Sequence, residues 1–197
     1  MKIFNLRNIL LVSVAIFSNS SVAQNAQDGS LERITAKDLA LMPPFCKGLS
    51  PGNYSEDAIH LRRTDIKQPK GNHNHHFCHA MKDMGRRKYS EAIKNFDYVI
   101  TNSGDPNKLT PDFYPLLAAN RLYRAEALVK LGKPGALEDY KEAIRLRPKY
   151  IQAYAKLADY YINNGMKDEA IKTIESGLKQ DPKSKGLHRR LKKYKIK

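Results

Sequence analysis

Residues 151–184 read IQAYAKLADYYINNGMKDEAIKTIESGLKQDPKS. Tyr154, Leu157, Tyr161 and Ile174 are bulky and Ala158, Gly165, Ala170 and Gly177 are small, each where two packed helices and the turn between them need that size, and Pro182 closes the unit. Residues 118–150 repeat the arrangement with one residue fewer, through Ala125, Gly132, Ala136, Tyr140, Ala143 and Pro148. Self-similarity at about 34 residues marks a stacked helical array, because a single hairpin cannot bury its apolar face and needs a neighbour.

The pattern resembles the tetratricopeptide repeat family. The resemblance implies an all-α array of about three helical-hairpin pairs that binds protein or peptide, with no catalytic residue and no cofactor. In that family the first helix of each pair lines a concave binding face. Carried over to this chain, the face consists of Gln152, Ala155, Asp159 and Ile162 in the clean repeat and of Ala119, Leu122, Glu126 and Val129 in the one before it. Members that grip a free C-terminal carboxylate use Lys and Arg on these helices. Here Gln152 replaces one such Lys, although Lys156 remains nearby. The mixture suits an extended or helical peptide with basic and apolar groups; the other occupant open to the groove is the protein's own last helix.

The first residues read as an export signal, since Lys2 and Arg7 precede an apolar run from Ile9 to Phe17 and small residues lead to Ser21-Val22-Ala23. Cleavage near Ala23 divides the chain into a signal peptide (1–23), a partly irregular segment (24–71) and a helical repeat domain (72–197), and implies a periplasmic or secreted protein. Retention of the run as an anchor is the alternative. The run is too short to span a bilayer, which takes about 20 residues. No Cys stands at the cleavage site to carry a lipid. The 35 basic and 20 acidic side chains give +15, a field that attracts anionic partners. For an exported chain those are acidic lipid headgroups, cell-wall polymers or acidic protein surfaces rather than nucleic acid.

Local signals place the remaining elements. Residues 24–30 are polar and expected to be disordered. Thr35 can cap a short helix from Ala36 to Met42, stopped by Pro43-Pro44. The stretch from Phe45 to Gly71 shows no clear period and reads as a pinned loop with a short helix near 55–63. Helices follow over about 73–85 and 89–101, a first, degenerate repeat whose turn Gly85-Arg86-Arg87-Lys88 reads as longer than usual and leaves open whether Ala80 or Cys78 takes the tight-packing position. Thr110 and Pro111 suit the start of a helix to Leu131, and its partner ends at Pro148. Ser184 can cap a last helix with a stripe at Leu187, Leu191 and Tyr194.

Two features carry possible chemistry. Cys46 and Cys78 make an even count, and in an oxidising compartment that favours a disulfide over two free thiols. The run 71–79, GNHNHHFCH, places His75 and His79, and likewise His76 and His79, on one helical face, where imidazoles can reach copper, nickel or zinc. The competing uses are packing, a direct partner contact and a thiol nucleophile at Cys78 beside His79. His75-His76-Phe77-Cys78 with Cys46 upstream is similar to secreted bacterial repeat proteins that carry a His-His-aromatic-Cys motif ahead of their repeats. The run from Lys183 to Lys197 has eight basic residues and no acid; its apolar stripe either covers the end of the array or lies on an anionic membrane surface, not both.

Overall fold

Ala92, Phe96 and Val99 recur every three or four residues, and the helix they predict forms from Tyr89 to Asn102 with all three buried. The computed structural model describes residues 32–69, 73–105 and 114–196. In chain order its α-helices are α1 (Ala36–Leu39), α2 (Glu56–Ile59), α3 (Asn74–Gly85), α4 (Tyr89–Asn102), α5 (Tyr114–Lys130), α6 (Ala136–Leu146), α7 (Ile151–Asn163), α8 (Lys167–Gln180) and α9 (Lys185–Ile196). The pairs α3–α4, α5–α6 and α7–α8 are three antiparallel hairpins, and α9 packs on α8 and α7. Among the described residues the only β pairing is an isolated bridge between Ile34 and Tyr54. The export signal, residues 24–31, and Thr110-Pro111 lie outside the described residues.

Turn chemistry corrects the reading of the first hairpin. Three residues separate α3 from α4, as three separate α7 from α8, so the turn is not extended. Arg87, at φ 60°, holds the left-handed position that Gly165, at φ 76°, holds in the third hairpin. Gly85 closes the helix and is not the turn glycine, which is why the spacing looked long. The register puts Ala80 on the side of α3 that faces α4, between His76 and Asp83, both of which bond Asn95 of α4. Cys78 points the other way, toward Cys46.

The segment before α3 covers the helix face that no preceding hairpin exists to cover. Thr35 and Asp38 form a reciprocal capping box at α1, and Arg86, the residue after α3, grips the Asp38 carboxylate at 3.0 and 2.6 Å. The stretch after Pro43 has 3₁₀ turns at Pro44–Gly48 and Pro51–Asn53. The Tyr54 hydroxyl ties them, accepting from the Leu49 N–H and donating to the Cys46 carbonyl. Cys46 and Cys78, both fully buried, are bonded to each other across a Cα separation of 5.6 Å, which leaves no free cysteine. Closing a loop of 32 residues stabilises the fold by about 4 kcal/mol on the chain-entropy model.

Under that cover lie polar groups. Lys82 and Asp83, 2% and 3% exposed, form an ion pair at 3.2 Å, and Lys82 also donates to the Glu32 carbonyl at 2.7 Å. Burial outweighs Lys82 and raises the Asp83 pKa. His79 is 1% exposed, its Nε2 3.1 Å from the Asn53 Oδ1, and burial together with the Lys82 ammonium pushes its pKa down from 6.5 to about 4.

At the other end Leu187 and Tyr194 of α9 are buried. Gly177 lets α8 approach both α7 and α9: a Cβ there would lie 2.9 Å from the Tyr154 Cβ and 2.7 Å from the Leu187 Cδ1. The apolar stripe is thus used in packing, and the outer Lys185, Arg189, Lys192 and Lys193 are exposed.

Gly177→Ala is expected to lower stability by about 1–3 kcal/mol in urea unfolding despite the better helix propensity of Ala. The folded protein keeps His79 neutral down to about pH 4, while the unfolded chain protonates it near 6.5. The unfolded state therefore binds more protons in that window, and stability falls as pH drops through it. Between about pH 7 and pH 4.5 the wild type should lose about 2 kcal/mol more than His79→Gln, measured by urea unfolding at both values.

Candidate partner-binding groove

The inner helices α3, α5 and α7 present side chains to a groove of about 280 Å³. Met84 comes from α3; Glu126, Val129 and Lys130 from α5; Lys156, Asp159, Tyr160 and Asn163 from α7. Tyr89 and Tyr140, from α4 and α6, complete the lining. These residues gather because each inner helix shows the same stripe, one residue every three or four. On α7 the stripe runs through 156, 159, 160 and 163.

The two acids of the groove are paired within the protein, which removes the basis for expecting basic groups on the peptide, while Lys130 is exposed. Lys156 is ion-paired with Glu126, joining α7 to α5. Asp159 takes hydrogen bonds from Arg190 at 2.9 Å and from the Tyr194 hydroxyl, both on α9. Burial opposes ionisation of Asp159, but these donors outweigh it and hold its carboxyl below the usual range. Burial, and after it the same contact, push the Tyr194 pKa up to about 12. Beside the groove, Asp139 is 1% exposed and is held by Arg124 at 2.6 and 2.7 Å and by Arg121 at 2.9 Å. That network locks α5 to α6.

Of the eight residues carried over from the family pattern, Glu126, Val129 and Asp159 line the groove. Leu122 and Ala155 are corrected: at 0% and 9% exposure they belong to the core and support the wall from behind. Ile162 is half-buried against that core, Gln152 is exposed away from the groove lining, and Ala119 lines a separate hollow. Sequence reasoning did not assign Met84, Tyr89, Lys130, Tyr140, Tyr160 and Asn163 to the face. Extending the i, i+4 stripe from Glu126 to Lys130 and from Lys156 to Tyr160 and Asn163 finds three of them. Met84 needed the register of the first hairpin, and Tyr140 serves as core and wall together.

The histidines diverge. His76 binds Asn95 at 2.9 Å and stacks 3.8 Å from the Tyr98 ring, while His79 turns inward to Asn53. His75 is half-buried with its ring 4.3 Å from that of His76. Among the described residues no three His, Cys, Asp or Glu side chains are placed to hold one metal ion. No described helix is long and apolar enough to cross a membrane.

Residues 134–193 match the family model of the tetratricopeptide repeat. A curated relative, the small glutamine-rich tetratricopeptide repeat-containing protein 2 of Mycosarcoma maydis, is 28% identical over 111 residues, 56% of this chain and 28% of that protein. The STIP1 homolog of Dictyostelium discoideum is 34% identical over 101 residues, 51% of this chain and 16% of that one. The chain thus spans less than a third of either relative. Among solved structures, the Sgt2 tetratricopeptide domain from Aspergillus fumigatus aligns with a TM-score of 0.53 and 21% identity, covering 65% of this chain and 80% of that one. The sequence match over 134–193 and the fold likeness agree, and the chain is built as an all-α array of tetratricopeptide-like helical hairpins.

Proposed function

We propose that this protein is an exported, periplasmic scaffold whose groove binds a peptide or protein partner of the cell envelope. The observation that carries the reading is the convergence of Met84, Val129 and Tyr160, from all three hairpins, on one hollow. Side chains from three separate repeats meet there without filling the space, and Val129 remains 41% exposed. The Glu126–Lys156 and Asp159–Arg190 pairs leave Lys130 as the exposed charge of the lining, so most of the affinity comes from apolar and aromatic contact. The positive field of the whole chain accelerates encounter with an acidic partner. Support for a scaffold comes also from the tetratricopeptide match over 134–193. Export rests on the Lys2, Arg7 and Ile9–Phe17 pattern with small residues before Gln24.

A photo-reactive residue placed at Val129 should cross-link a discrete envelope protein in intact cells, and one at Ser176, on the outer helix α8, should not. Equal labelling from both positions contradicts the groove reading. The chain recovered from periplasmic extract should begin at Gln24 by mass; recovery only of the intact chain in the cytosol contradicts export.

A further inference from the structure

The inner face carries a second hollow, of about 210 Å³, at the N-terminal ends of α3 and α5. Its wall is aromatic: Phe45, Phe77, Tyr123 and Tyr150. Phe45 belongs to the segment before α3 and stacks 5.6 Å from Phe77, which meets Tyr123 edge-on at 6.2 Å. Arg147, the one charged residue of the lining, is exposed at the end of α6 with its guanidinium 5.0 Å from the centre of the Tyr150 ring. No ion pair joins Arg147 to a described carboxylate, in contrast to Arg86, Arg124 and Arg190, each of which holds an Asp.

Both hollows lie on one track. On α5, Ala119 and Tyr123 line the aromatic hollow and Glu126 and Lys130 the groove, at i, i+4, i+7 and i+11 of a single stripe. On α3 the corresponding pair is Phe77 and Met84, seven residues or about 10 Å apart along the axis. An extended peptide covers that distance in about three residues.

We propose that the aromatic hollow seats an apolar side chain of the partner peptide while Arg147 binds the side-chain carboxylate of an adjacent Asp or Glu, so that the partner segment is acidic. This rests on the groove reading and adds the partner's chemistry. An apolar side chain in the hollow removes it from water against four rings. Arg147 is exposed at the mouth of the hollow, and its guanidinium offers a carboxylate two parallel charge-assisted hydrogen bonds. The segment before α3 is then part of the binding site, since it supplies Phe45.

The test is fluorescence anisotropy of the full chain with short labelled peptides, acetylated and amidated so that the only carboxylate is a side chain. One carries Phe-Asp in a Gly/Ser background, one Phe-Lys, one Ser-Asp. The Phe-Asp peptide should bind about tenfold tighter than either control, a difference of about 1.4 kcal/mol. Arg147→Glu should reverse the preference toward Phe-Lys, whereas Arg189→Glu, on the outer side of α9, should change affinity by less than about twofold. Because Arg147 is exposed, that variant keeps the fold. Phe45→Ala should weaken both Phe-containing peptides alike. Equal losses from Arg147→Glu and Arg189→Glu would reduce the effect to the general field and overturn the proposal. Equal binding of Phe-Asp and Ser-Asp, or no binding at about 1 mM peptide, would also overturn it. Failure here with position-specific cross-linking from Val129 intact leaves the scaffold reading standing; loss of that cross-linking while Phe-Asp still binds removes the scaffold reading instead.

Discussion

A stack of hairpins buries each helix between two neighbours, and the helix at each end lacks one of them. That constraint organises this molecule. Without a preceding hairpin, the outer side of α3 would expose Cys78, His79 and Lys82; the segment from Glu32 to Pro69 covers it instead. So irregular a segment has little apolar periodicity with which to hold itself down. It is held by scattered apolar anchors, Ile34, Leu39, Met42, Leu49 and Tyr54, buried in one core with Phe77 and Ala80, and by directed bonds: the Cys46–Cys78 link, the Arg86–Asp38 grip and the donation from Lys82 to the Glu32 carbonyl. The opposite end is closed by Leu187 and Tyr194 packed against α7 and α8, with Arg190 and the Tyr194 hydroxyl also bonded to Asp159 of α7.

The two solutions differ in their dependence on conditions. Covering α3 traps Lys82, Asp83 and His79 in one small volume, where burial, helped by the ammonium, keeps the imidazole neutral and also raises the pKa of the carboxyl. A buried pair of this kind adds little net stability but makes removal of either partner costly. Through His79 and the disulfide the array's N-terminal end is sensitive to acid and to reductant, the raised Asp83 pKa working against the acid effect. The C-terminal end relies on close approach at Gly177, and its sensitivity is to side-chain volume.

How much of this could be read beforehand follows from which forces act over short range. The third hairpin was legible residue by residue, because size at Tyr154, Ala158 and Gly177 is dictated by a neighbour at a fixed offset. The hairpin count and the last helix followed from the same rule. The first hairpin's register was not legible: Arg87 occupies a left-handed turn position where glycine is the usual signal, so the chain carried no mark of where the turn lay. The inner face was half legible. Its positions follow from the repeat, but whether a residue such as Leu122 or Ala155 reaches the groove or stays behind it depends on the depth of the neighbouring helices, which spacing alone does not encode. The histidines looked convergent on a helical wheel and are not, because Asn95, Tyr98 and Asn53 draw His76 and His79 in different directions.

Charge in the chain divides into two roles. Arginines that touch the fold are neutralised in place: Arg86 by Asp38, Arg124 by Asp139, Arg190 by Asp159. These pairs consume acid, and the unpaired surplus of Lys and Arg is left to solvent, concentrated on the outer side of α9. A surplus so placed shapes approach more than final contact, since exposed charges are screened within about 8–10 Å at physiological salt. Discrimination falls to close contact, and on the inner face two hollows offer it once a partner covers them. In the larger, Glu126 and Lys156 satisfy each other and leave shape, with the exposed Lys130, as the selective properties. In the smaller, the guanidinium of Arg147 faces aromatic rings with no described carboxylate paired to it, so an incoming group there is sorted by charge as well as by fit.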